Sequence, residues 1–97
     1  MIKYLENESL TDLTKDGITL VDFYADWCGP CKMLGSVLET MDDLKIVKIN
    51  TDTYPELAQK YGVMSIPTVF IYKDGKEVNK FIGFKSKEEI KEIIKDI

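Results

Sequence analysis

The run ITLVDFYA, Ile18 to Ala25, is β-prone and apolar at nearly every position rather than at every second one. A strand of that kind is covered on both faces and belongs near the centre of a sheet. Immediately beyond it Met33, Leu34, Val37, Leu38 and Met41 fall at i, i+1, i+4, i+5 and i+8, one apolar stripe along a helix that runs to Met41. IVKIN, Ile46 to Asn50, then reads as a second strand. Strand, helix and strand in this order restrict the chain to a βαβ unit with parallel strands and a right-handed crossover. One polar residue, Asp22, interrupts the first strand.

The flanking segments extend this unit. Residues 2–5 form a short strand, and ENESLTDLTKDG a brief helix with Asn7 or Ser9 as N-cap and Gly17 as its stop. DTYPELAQKYG predicts a helix capped by Thr53, with Pro55 in the first turn and Gly62 at the end. TVFIY is a strand, Asp74-Gly75 a hairpin signal, and Val78 to Ile82 the returning strand. In SKEEIKEIIKDI, Ser86 and Glu89 form a capping box and Ile90, Ile93, Ile94 and Ile97 the buried face. The sum is an α/β fold: a mixed sheet of four to five strands flanked on both sides by about four helices. At 97 residues the chain has room for one domain, 1–97, hiding roughly 65% of its unfolded surface.

A formal charge of −4, with no clustered Lys or Arg, argues against nucleic acid and anionic membrane as partners. No apolar run is long enough to span a bilayer, and MIKYLENESL lacks the apolar core of a signal peptide, so a cytoplasmic location is expected. A monomer is the default expectation.

WCGPCK, Trp27 to Lys32, holds both cysteines of a chain without histidine. A structural zinc site takes four ligands, so metal binding would need carboxylates or a second chain, and no metal is expected. A structural staple closing so short a loop contributes only roughly 2 kcal/mol before strain. Two inert core thiols fit poorly with Gly29 and Pro30 between them.

A dithiol that cycles fits better. A sulfur attacks a disulfide only as thiolate, and a thiol with a pKa of about 8.5 is only ~3% ionised at pH 7. At the start of a helix, unpaired backbone N–H groups and the positive end of the helix dipole favour the anion. Pro30 suits a first helical turn, and Gly29 leaves room for a partner. Cys28 is therefore the expected nucleophile, exposed at the helix start, and Cys31, one turn deeper and shielded, the resolving thiol.

VDFYADWCGPCKM resembles the active-site segment of the thioredoxin family. The likeness continues through KINTD (Lys48 to Asp52), YGVMSIPT (Tyr61 to Thr68) and FIGF (Phe81 to Phe84), essentially the whole chain. It implies a thioredoxin-like three-layer sandwich and a disulfide reductase working through a Cys28–Cys31 disulfide. It also implies recharging by thioredoxin reductase at the expense of NADPH, with no cofactor bound to the chain itself. Partners implied are that reductase and disulfide-containing proteins such as reductases and peroxidases.

Further roles come through the same resemblance. Asp22 becomes a buried carboxylate, raised in pKa by desolvation, that takes a proton from Cys31, with Lys48 nearby tuning it. Pro67 becomes a cis candidate whose geometry would place the Ile66 backbone beside the sulfurs to pair with an extended substrate segment. Trp27, Pro30, Ile66, Gly83 and Phe84 would frame an apolar landing surface. Three positions depart from the family pattern: Ser36 replaces a frequent helix-kinking proline, Tyr24 a frequent Trp, and Phe84 a smaller residue. They bear on partner preference, with Gly35-Ser36 offering a weaker bend. Rival readings are a disulfide oxidant or isomerase of the same fold, a metal or iron–sulfur module shared by two chains, and a redox-independent scaffold.

Overall fold

The computed structural model describes residues 1–97. Its elements run β1 (Ile2–Tyr4), α1 (Leu10–Leu13), β2 (Ile18–Tyr24), α2 (Gly29–Leu38), β3 (Lys45–Asn50), α3 (Pro55–Lys60), β4 (Thr68–Lys73), β5 (Lys76–Ile82) and α4 (Lys87–Lys95). The sheet order is β1-β3-β2-β4-β5, which puts the doubly apolar strand β2 in the middle. β1, β3 and β2 are parallel; β4 returns antiparallel beside β2, and β5 antiparallel beside β4.

Alternation along β2 explains why both its faces are apolar. Leu20, with Ile46 of β3, Val69 and Ile71 of β4 and Phe81 of β5, packs against Leu34 and Leu38 of α2 and Ile90 of α4. On the opposite face Val21 and Phe23, with Val47, Ile49 and Phe70, pack against Leu10 of α1 and Ala58 of α3. The result is a three-layer sandwich with two helices on each side of a mixed sheet. Asp22 points to the α2 side with Leu20, because residues two apart on a strand share a face.

Local chemistry sets the element ends. The hairpin between β4 and β5 turns through Asp74 (φ 50°) and Gly75 (φ 87°), the paired left-handed residues that such a tight turn demands. It is clasped to the start of β2: the Asp74 carboxylate accepts from Gly17 N–H at 2.8 Å, and Gly75 N–H donates to the Thr14 carbonyl at 2.9 Å. At α4 the capping box is complete, with the Ser86 hydroxyl accepting from Glu89 N–H and the Glu89 carboxylate from Ser86 N–H.

Several boundaries differ from the sequence expectation. The second strand ends at Tyr24, leaving Ala25 in the loop, while β3 begins at Lys45 and β5 at Lys76. α2 stops at Leu38 rather than Met41, although Met41 remains buried just beyond it. Its buried stripe is Cys31, Leu34, Gly35 and Leu38, and Met33 is 58% exposed. Met33 lies two residues from Cys31, about 200° around the helix, and so faces solvent. Ser9 occupies the N-cap of α1 without a side-chain bond, and the N-cap of α3 is Tyr54, not Thr53. The Asn50 side chain explains the latter, since its Oδ1 accepts the N–H groups of Asp52 and Thr53 and sets that turn first. On α4 only Ile90 is fully buried; Ile93, Ile94 and Ile97 pack at the core's edge.

Candidate active site

The loop leaving β2 delivers both cysteines to the start of α2, where they are joined as a disulfide with Cα atoms 5.2 Å apart. Cys28 is the N-cap residue, extended at φ −88° and ψ 112°, and its sulfur accepts the Cys31 backbone N–H at 3.2 Å. That donor belongs to the set left unpaired at every helix start, so in the reduced chain it would favour a thiolate at Cys28. Gly29 opens the helix, and Pro30 in the first turn lacks only an N–H that would have had no helical partner. The Cys28 carbonyl accepts from Lys32 N–H at 3.1 Å, so the helical ladder begins at the sulfur-bearing residue itself.

Exposure does not separate the two sulfurs as the sequence expectation had it: Cys28 is 5% and Cys31 2% exposed in the disulfide. Direction separates them instead. Cys28 Sγ lies 3.7 Å from the Ile66 carbonyl oxygen, a contact without a shared proton while the sulfur is oxidised. Cys31 faces the other way, into a cavity of about 370 Å³ shared with Tyr4, Tyr24, Gly35 and Lys48.

Strand register assembles a polar group around Lys48, which lines that cavity together with Cys31. Tyr4 of β1 pairs with Lys48 of β3, and Lys48 with Asp22 of β2, so the three stand side by side on the α2 face. Asp22 is fully buried, and neither carboxylate oxygen accepts a hydrogen bond from the protein. Lys48 Nζ lies 3.7 Å from Oδ2, an ion pair too long for a hydrogen bond. Burial lifts the Asp22 pKa to about 6, and the Lys48 charge holds it from rising further.

On the other side of the disulfide, the Ile66–Pro67 peptide bond is cis. No backbone group of the chain bonds the Ile66 N–H or carbonyl. Gly83, at φ 87°, donates its N–H to the Pro67 carbonyl at 2.8 Å and so ties the end of β5 to this loop. A groove of about 430 Å³ runs between Trp27 and the segment Val63–Ile66. Trp27 is 69% exposed, and its indole N–H donates to the Asp52 carboxylate at 2.9 Å, which fixes the ring on the surface. Phe84 is 40% exposed but, like Pro30 and Gly83, does not line this groove.

Four participants were not singled out for the site from sequence. Met64, 95% exposed on the groove, stands in a loop where an apolar side chain has no core to join, which is a usable signal. Asp52 and Tyr4 depend on non-local pairing that no local pattern reveals. Gly35 stood out only as a weak bend beside Ser36, whose hydroxyl donates to the Lys32 carbonyl at 3.3 Å.

Comparison with known proteins agrees with this geometry. The family model described as Thioredoxin matches residues 2–96. The thioredoxin of Bacillus subtilis (strain 168) is 50% identical over 93 residues, covering 91% of this chain and 89% of that protein. The thioredoxin of Chlamydia caviae is 43% identical over 98 residues, covering 97% and 96%. Among solved structures, a point-mutant thioredoxin from Halobacterium salinarum NRC-1 has a TM-score of 0.89 at 37% identity, covering 98% of this chain and 88% of the other.

Proposed function

The chain belongs to the thioredoxin family, and from that premise we propose that it reduces protein disulfides by cycling Cys28 and Cys31 between dithiol and disulfide. The observation that carries the reading is the Cys28 sulfur at the N-cap of α2, accepting the Cys31 N–H. Cys28 thiolate attacks one sulfur of a substrate disulfide, the substrate S–S bond breaks, and its leaving thiolate takes a proton from water. A mixed disulfide remains. Cys31 then loses its proton toward Asp22 and attacks Cys28 Sγ, expelling the second substrate sulfur and closing the Cys28–Cys31 bond. Two electrons have passed from the chain to the substrate.

Asp22 suits the second step because its oxygens have no protein donor and its pKa is near 6. At pH 7 about nine-tenths of it is ionised and able to accept a proton, and its raised pKa brings it closer to a thiol's than an ordinary carboxylate's would be. Lys48 keeps it from rising out of that range. The unpaired Ile66 N–H and carbonyl fit an extended substrate segment added as a strand, with Trp27 at the groove and Pro67, held by Gly83, fixing the loop. Gly29 and Pro30 shape the helix start, and Phe84 contributes apolar surface nearby. Thioredoxin reductase, drawing on NADPH, is the electron donor in this reading, with a cytoplasmic monomer as the working form. No helix of the chain is long and apolar enough to cross a membrane.

The test is insulin disulfide reduction with dithiothreitol as donor. The chain should accelerate precipitation of the insulin B chain well beyond dithiothreitol alone, and Cys28→Ser should abolish the acceleration. A wild-type rate equal to the dithiothreitol background would reject the proposal.

A further inference from the structure

The Lys48 ammonium is enclosed on four sides. Asp22 Oδ2 lies 3.7 Å away, the Tyr24 ring centroid 4.5 Å and the Tyr4 ring centroid 5.7 Å. The fourth wall is Gly35 of α2, where an added Cβ would come within 3.3 Å of Nζ. The two rings brace one another edge to face, with centroids 6.2 Å apart and an interplanar angle of 75°. Asp26, Lys32 and Glu39 line the same cavity from the β2–α2 loop and from α2, but of the acidic groups only Asp22 is within ion-pair distance of Nζ.

Each wall has a physical reason to hold a cation. The negative face of an aromatic ring attracts an ammonium, more strongly where water is excluded, and Lys48 is 7% exposed. Glycine is a poor choice inside a helix, which loses stability relative to alanine there, so its presence at a buried position calls for a packing reason. Room for the ammonium supplies one. A Cβ at position 35 would crowd the ammonium out of this seat and so change its distance to the carboxylate.

We propose that Tyr4 and Gly35 are positioning residues that, with Tyr24, seat the Lys48 ammonium against Asp22 and thereby set how readily Asp22 takes up a proton. Tyr4 acts by its ring face and Gly35 by its missing side chain; neither touches substrate. The consequence for turnover rests on Asp22 accepting the Cys31 proton, but the seat itself does not.

The experiment follows the Asp22 carboxyl carbon by NMR titration of the oxidised protein, in wild type and in Tyr4→Leu, Tyr4→Phe and Gly35→Ala. Tyr4 is half-exposed on an edge strand, so its variants keep the core. Moving the ammonium away from Asp22 by a few tenths of an ångström should raise the Asp22 midpoint by about 0.3 pH unit in Tyr4→Leu and Gly35→Ala, roughly a twofold gain in proton affinity. Tyr4→Phe, which keeps the ring, should titrate like wild type. A merely structural role would change thermal stability and leave the midpoint in place. An unmoved midpoint in both Tyr4→Leu and Gly35→Ala overturns the seat, and a Tyr4→Phe shift equal to that of Tyr4→Leu overturns the ring's part in it. The pH profile of mixed-disulfide resolution is measured alongside. If the Asp22 midpoint moves and that profile does not, the seat stands and the proton-acceptor reading falls.

Discussion

Replacing Asp22 by asparagine removes the one carboxylate that folding buries without a hydrogen-bond donor. The Asp22 pKa is about 6 in the folded chain against 3.8 for an unperturbed aspartate, a gap of about two units. At about 1.4 kcal/mol per unit, the gap is on the order of 3 kcal/mol of stability. Its sign follows from proton counting. Between pH 3.8 and about 6 the folded state holds a proton that the unfolded state has released, so stability falls as pH rises through that window and stays lower above it. Below the window both states are protonated and Asp22 contributes nothing. Glu8, held down to about 2 by Lys3, works in the opposite direction but is common to both proteins and cancels in their difference. The asparagine variant also leaves Lys48 without its counter-charge, which offsets the two proteins at any single pH, so the slope is the quantity to read. Guanidinium unfolding of the oxidised proteins from pH 4 to pH 8 should show wild type losing on the order of 3 kcal/mol relative to Asp22→Asn. Parallel curves for the two proteins would mean that burial does not hold a proton on Asp22, and the electrostatic reading of the site would fail.

Other perturbations follow from single contacts. Ser86→Ala removes the reciprocal cap of α4 and should lower stability by about 1 kcal/mol with disulfide reduction unchanged, as denaturant unfolding and the insulin assay will show. A loss of activity at full stability would instead place α4 in the site. Met64→Glu puts a charge on the rim of the groove beside Trp27 and should raise KM for protein disulfides roughly three- to tenfold, as expected for one desolvated charge, while leaving reduction of a small aromatic disulfide unaffected. Equal losses on both substrates would remove the groove from protein recognition.

What the sequence makes legible here is local or periodic. The run Ile18–Ala25 stood out because a strand buried on both faces has no polar alternation, and that property alone placed the strand, observed as Ile18–Tyr24, centrally. Ser86 and Glu89 were legible because a capping box closes within one helical turn. The helix after the cysteines was legible, and so was its core-facing stripe through Leu34, Val37, Leu38 and Met41, but not the exposure of Met33. Met33 and Leu34 are adjacent, both are apolar, and only packing against the sheet decides that Leu34 is buried and Met33 exposed. The start of α3 was misplaced by one residue because the Asn50 side chain competes for the N–H groups that Thr53 was expected to organise. Of the candidate residues, the cysteines were put forward by their motif, and Asp22, Lys48 and the Ile66-Pro67 loop by the family resemblance. Tyr4 was not: its place beside Lys48 comes from the register of β1 on β3, a pairing across more than forty residues. Direction was likewise hidden, since Cys28 and Cys31 are almost equally buried and differ in what they face.

The division of labour between those two sulfurs is the claim on which the rest depends. Reduced Cys28→Ser and Cys31→Ser chains, each mixed with a disulfide-bonded protein and resolved on a non-reducing gel, test it directly. Covalent adducts are expected with Cys31→Ser and none with Cys28→Ser. Adducts trapped by Cys28→Ser, with none from Cys31→Ser, would contradict it.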